Sequence, residues 1–253
     1  MKKVTFFIIA AMIAFSCNND DDDNTPVNVS LLFNFSQNWE GTNVSAVDIG
    51  TTIFTNENND QLTIARLRYL ISNIQLTNSD GVTTDIEGYQ LVDLSDASTL
   101  SFAPNVSVLE GSYTMSFVYG FNEEDNVGGA YPDLNAASWN WPAELGGGYH
   151  FMQMDGQYDV DTTAPMPYNY HNGTAKVSDG VFEQNFVEVT IPNLIEVSEG
   201  GTIEIIMDIS EWYKNPYTWD LSVFDISLMA NYDAQKKMNL NAGSVFSANS
   251  NNP

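Results

Sequence analysis

The chain has 253 residues, of which 43 % are hydrophobic and 12 % aromatic, enough apolar material for one large domain with a substantial core. Its 8 Lys and Arg against 33 Asp and Glu leave a formal charge of -25, so polyphosphates and anionic membrane surfaces are repelled and nucleic acid is excluded as a partner. Charged residues make up only 16 % of the chain, well short of a charge-driven disordered composition.

Lys2 and Lys3 open the chain, followed by the apolar run "VTFFIIAAMIAF" and then Ser16 and Cys17. This is the arrangement of a signal peptide over residues 1–16, and the run is short for a bilayer span. A small residue before a single cysteine resembles a bacterial lipoprotein signal, with Cys17 acylated after cleavage; Ala14 stands at the usual leucine position. With Cys17 carrying lipid, no thiol is left for a disulfide, a nucleophile or a Cys-ligated metal. Residues 17–26 include "NNDDDDN", which reads as a solvated acidic tether between lipid and domain. The expected location is the bacterial outer membrane, on its periplasmic or cell-surface face, with contact to lipid through the anchor alone.

In the body, Val27, Val29, Leu31, Phe33 and Phe35 alternate with mostly polar neighbours, the period of a strand with one buried face. The pattern returns at Tyr113 to Tyr119, at Val187 to Ile191 and at Ile203 to Ile209, with turn clusters such as "NSDG", "EDNVGG" and "SEGG" between. Short alternating strands with such punctuation predict an all-β fold, an antiparallel sandwich or barrel. The segment "TIARLRYLISNIQL" is ambiguous, because Leu67, Leu70, Ile71 and Ile74 sit at helical spacing while its composition suits a strand. Ala234 to Met238 predict a short C-terminal helix stopped by Gly243, and residues 244–253 read as a disordered tail.

One stretch, "SWNWPAELGGGYHFMQMDG", holds two of the five tryptophans, three consecutive glycines and one of the two histidines. In an extended chain His150, Met152 and Met154 share a face, and imidazole with thioether is a soft donor set that favours copper. His171, in "PYNYHNGT", is the remote candidate to close such a site. Met152 and Met154 suit ordinary core packing equally well, and Trp139 with Trp141 fits either a core or a sugar-binding platform. Glu123 and Glu124, in "NEEDNVGG", read as a solvated turn, without EF-hand spacing. No H-E-x-x-H, G-x-S-x-G or phosphate-binding glycine loop occurs, so the expectation is a protein that is not an enzyme.

The run "WNWPAELGGGYHFMQMDGQY" resembles the hallmark of the MbnP-like family, the methanobactin-associated copper-binding proteins and their lipoprotein relatives. "LLFNFSQNWEGTNV", "LRYLISNIQLTNSDG", "GSYTMSFVYGFNEEDN", "YNYHNGT" and "EWYKNPYTWDLS" resemble further family segments in the same order. The resemblance implies a β-sandwich over residues 27–243, a strand for Leu67 to Leu76, and copper held by histidines. By position it points to His150 and His171 as ligands, with Met152 or Met154 as a soft supplement, and to Trp139 or Trp141 as a tryptophan open to oxidation by a dihaem MauG-like peroxidase. Many relatives carry a first-strand histidine where this chain has Gln37. The competing expectation is a surface recognition module that binds carbohydrate or a partner protein through an aromatic platform of Trp139, Trp141 and Tyr149.

Overall fold

A computed structural model describes residues 27–252, so the signal peptide, Cys17 and all of the acidic tether lie outside the described residues. Eleven elements position everything that follows. They are strands β1 (Phe33–Trp39), β2 (Gln61–Asn78), β3 (Thr83–Asp93), β4 (Gly111–Tyr119), β5 (Met152–Tyr158), β6 (Met166–Asn172), β7 (Val187–Thr190), β8 (Thr202–Asp208) and β9 (Phe246–Asn251), with helices α1 (Pro132–Ala136) and α2 (Tyr232–Val245). Two sheets form the expected sandwich. The larger has eight strands in the order β6-β5-β2-β4-β7, flanked by β3 and two short strands, and its named pairings are antiparallel. The smaller runs β9-β8-β1 and then Thr42–Val44; its β8-β1 pair is parallel, the one departure from the antiparallel pattern among these strands.

Alternation along each strand sends one set of side chains into the space between the sheets. On β1 the inward set is Phe33, Phe35, Gln37 and Trp39; on β8 it is Ile203, Ile205 and Met207. They meet Leu67, Tyr69, Tyr119, Met152, Met154 and Tyr170 from the larger sheet in one continuous core. A second, smaller cluster of Leu70, Phe121, Leu134, Trp139 and Tyr149 covers the outer face of the larger sheet. That second cover explains the ambiguous segment: β2 is an 18-residue strand buried on both faces at Tyr69 to Ser72, and a bulge at Asn73, with φ 51°, shifts its register. Burial on both faces erases the period of two that marks a half-buried strand.

The C-terminal region needs two corrections. Helix α2 does not stop at Gly243 but runs to Val245, burying Ala234, Met238, Ala242 and Val245 along one side. Its start is set by Asn231, whose side chain accepts from the Ala234 backbone N–H at 3.1 Å. The expected disordered tail is instead strand β9, paired with β8 from Thr202↔Asn251 to Met207↔Phe246. Only Phe246 and Ala248 turn inward, so the strand is held chiefly by its backbone ladder and carries little hydrophobic signal. No helix among the described residues is long and apolar enough to cross a membrane.

Candidate functional site

The tryptophan-glycine stretch folds as a small hairpin laid over the outer face of β2 and β5. Trp141 N–H donates to the Gly148 carbonyl at 2.9 Å and His150 N–H to the Trp139 carbonyl at 2.8 Å, with Asn140 bridged to Tyr149. The reversal between them is made by a 3-10 turn, Ala143–Leu145, followed by Gly146, Gly147 and Gly148 at φ 112°, 67° and 83°. Three successive left-handed residues are open only to glycine at low cost, which is why the triple appears there. The hairpin is pinned by Asn126, whose side chain accepts from the Tyr149 N–H at 2.8 Å, and by Tyr149, whose hydroxyl accepts from the Tyr131 N–H at 2.9 Å.

This hairpin delivers His150 to the outer face of the sheet, where β6 presents His171. The two ring centroids lie 5.3 Å apart with the planes at 79°. Trp141 stands edge-on to His150 at 4.9 Å, and Trp139 lies 5.6 Å from it. Beyond them Arg68 packs over the Trp139 ring at 5.1 Å and hydrogen-bonds Gln153 and the Ala137 carbonyl. Asp155 closes the other end: Oδ1 accepts from His171 Nε2 at 2.8 Å and from Asn169 at 2.6 Å, and Oδ2 accepts from Arg66 Nε at 2.5 Å.

These contacts set the tautomers. The Trp139 carbonyl only accepts, so His150 Nδ1, 3.0 Å away, carries the hydrogen and Nε2 keeps its lone pair. Burial pushes the His150 pKa down to about 4, with the hydrogen bond to Trp139 opposing and His171, Arg66 and Arg68 reinforcing; the ring is neutral at pH 7. Burial raises the Asp155 carboxyl, but the hydrogen bond and charge of His171, the Asn169 amide and Arg66 outweigh it and hold the group at about 2. The ionised carboxylate accepts from His171 Nε2–H, which leaves Nδ1 as the nitrogen of that ring without a hydrogen-bond partner among the described residues.

Two imidazoles, each with one nitrogen unengaged and one of them oriented by a carboxylate, are the kind of donor pair that suits copper. At metal–nitrogen distances of about 2 Å, a centroid separation of 5.3 Å is within the span of a single ion. The pair is a minimal set: among the described residues, no group of three or more His, Cys, Asp or Glu side chains is arranged to hold a metal.

Of the residues singled out in the sequence, His150, His171, Trp139 and Trp141 come together, and Met152 and Met154 do not. Leu70 N–H donates to the Phe151 carbonyl and Phe151 N–H to the Asn172 carbonyl, and both Phe151 and Met152 enter the main core. The alternation therefore breaks at this pair. His150 is left outside, while Met152 and Met154 point between the sheets, where Tyr213 hydroxyl meets Met154 Sδ at 3.6 Å. Gln37 is also inside, donating to the Tyr69 hydroxyl at 2.8 Å, on the opposite side of the larger sheet from the histidines. A histidine at that position would not face this site. The aromatic platform fails as well, since Trp139, Trp141 and Tyr149 are 0 %, 2 % and 0 % exposed. Asp155, Arg66, Arg68 and Gln153 escaped notice in the sequence, although the parity of "MQMD" places Gln153 and Asp155 on the face opposite the two methionines.

Comparison with known proteins agrees with this architecture. A solved structure, MbnP from Methylosinus trichosporium, superposes with a TM-score of 0.54 at 14 % identity, covering 89 % of this chain and 100 % of its own, a likeness of fold. No curated protein sequence matches the chain. The MbnP family model matches residues 28–236, from the start of the sandwich into α2, so the chain belongs to the MbnP family.

Proposed function

We propose that the protein is a copper-binding protein of the bacterial cell envelope, lipid-anchored through Cys17, with His150 and His171 as ligands and no turnover of its own. The observation that carries this reading is the pair of imidazoles with ring centroids 5.3 Å apart, each with one nitrogen engaged by the protein and the other without a partner among the described residues. Family membership supports it. Copper bound there would add a one-electron redox centre next to a buried indole.

Of the two tryptophans, Trp141 is the better placed for oxidation by a dihaem MauG-like peroxidase partner. Arg68 over Trp139 opposes removal of an electron from that ring, and the buried Trp139 Nε1–H has no acceptor among the described residues. Trp141 Nε1–H donates to the Leu145 carbonyl at 3.1 Å, which stabilises positive charge on the indole.

Copper titration of the purified protein, repeated with His150→Ala and His171→Ala, tests the ligand assignment. Each variant is expected to lose about a hundredfold or more in affinity, the scale of removing one of two ligands. Wild-type binding no tighter than that of the double variant would overturn the reading.

A further inference from the structure

We propose that a cleft on the larger sheet, between the rings of Tyr89 and Tyr131 and the carboxylates of Asp85, Glu87 and Asp125, binds a small organic polycation of the alkylammonium class. The site is separate from the histidine pair and depends on no metal.

The cleft begins as a fault in the sheet. β2 pairs with β3 at Ser72↔Tyr89 and again at Ile74↔Ile86, so Asn73 stands opposite two residues, Glu87 and Gly88, in a bulge. Asn73 and Gly88 both take left-handed backbone, at φ 51° and 100°. Such conformations collect at binding sites, where the surrounding structure holds them in place. A cavity of about 400 Å³ opens over this fault, the scale of a small-molecule site.

One wall is aromatic. The half-buried rings of Tyr89 and Tyr131 lie 4.9 Å apart at 68°; Phe121 stacks on Tyr131 at 4.8 Å and meets Tyr89 edge-on at 5.3 Å. Both hydroxyls are spent as donors, Tyr89 to Asp133 Oδ1 at 2.5 Å and Tyr131 to the Asp125 carbonyl at 3.1 Å. A phenol that donates to a carboxylate gains electron density, which strengthens the attraction of its ring face for a cation.

The rest of the lining supplies charge of one sign. Asp85, Glu87 and Asp125 contribute three carboxylates, and no lysine or arginine lines the cleft or pairs with them among the described residues. The Gln75 amide donates to Asp85 Oδ1 at 2.7 Å and the Asn73 amide to Asp125 Oδ2 at 3.2 Å, bonds that aim the carboxylates without neutralising them. A hard metal ion needs its oxygens gathered at one point. These carboxylates are not gathered: among the described residues no three acidic or histidine side chains are close enough to hold a metal. Carboxylates spread along an aromatic wall fit an extended ligand, with ammonium groups on the acids and methylenes against the tyrosine rings.

The test is calorimetric titration of the purified protein with spermidine at about 0.15 M salt, where diffuse attraction to an acidic surface is screened. One site per chain is expected. Tyr89→Leu, which keeps an apolar side chain but no ring, and Glu87→Gln, at an exposed position, should each weaken binding by about fivefold or more. Glu57→Gln, which removes the same charge from another exposed loop, should stay within about twofold, and His150→Ala should bind as wild type does. Absence of saturable binding would overturn the proposal, as would equal losses in Glu57→Gln and Glu87→Gln, which mean attraction to net charge alone. Displacement of spermidine by calcium with Tyr89→Leu unaffected would also overturn it, in favour of a site for a point ion.

Discussion

Gln37 donates to the Tyr69 hydroxyl at 2.8 Å across the interior of the sandwich, joining β1 to β2 through two buried polar groups. The bond satisfies a phenol that burial alone would leave stranded, and burial pushes the Tyr69 ionisation well above its ordinary value. Gln37→Leu should cost about 1–3 kcal/mol in chemical denaturation, the penalty of an orphaned buried hydroxyl. Gln37→His should leave copper affinity and stoichiometry unchanged; a gain of a second bound copper would contradict its placement on the far side of the sheet.

The neutral state of buried His150 makes folding sensitive to acid. Its folded pKa, about 4, lies below the ordinary 6.5, so the unfolded chain takes up this proton first. Stability is therefore expected to fall as pH drops from 6.5 to 4, by roughly 3 kcal/mol from this group. Metal-free protein and His150→Gln, compared by urea denaturation at several pH values, should diverge in slope over that window. Parallel curves would show that burial does not hold this ring neutral.

Gly173 follows β6 and lies against the Trp141 ring, where an added Cβ would sit 2.6 Å from Cδ2 and Cε3. Neither partner has room to retreat. Gly173→Ala should destabilise the protein by about 1–3 kcal/mol and displace Trp141 from His150, seen as a lower melting temperature and altered tryptophan fluorescence. A variant within about 0.5 kcal/mol of wild type would mean that the hairpin is looser than its packing implies.

Oxidative modification of the protein isolated from its host, mapped by tandem mass spectrometry, is expected at Trp141 and not at Trp139. Arg68→Met, which removes the cation from above Trp139, should allow modification at both. Modification of Trp139 alone in the wild type would reverse the argument.

Much of the sandwich was legible because strands β1 and β8, and β4 as far as Phe117, bury one face each and so print a period of two. The same logic misled at His150. Parity places His150 with Met152 and Met154, but the chain turns at Phe151 and Met152, both of which enter the core, and a turn between buried residues leaves no mark in an apolar run. Strand β9 was missed because its side chains, apart from Phe246 and Ala248, are polar and its cohesion is in the backbone.

The parallel pairing of β8 with β1, with β9 on the other edge of β8, also orders how the molecule assembles. The hairpin of β5 and β6 brings His150 and His171 together across a short loop and closes early, at small entropic cost. The smaller sheet must wait, because β1 meets its partner only after some 170 residues have followed it, and β9 comes later still. The pairing of these two rings thus belongs to the quickly formed part of the chain. The inner wall behind it belongs to the part that forms last, so a nascent chain brings these two imidazoles together before it has finished enclosing them.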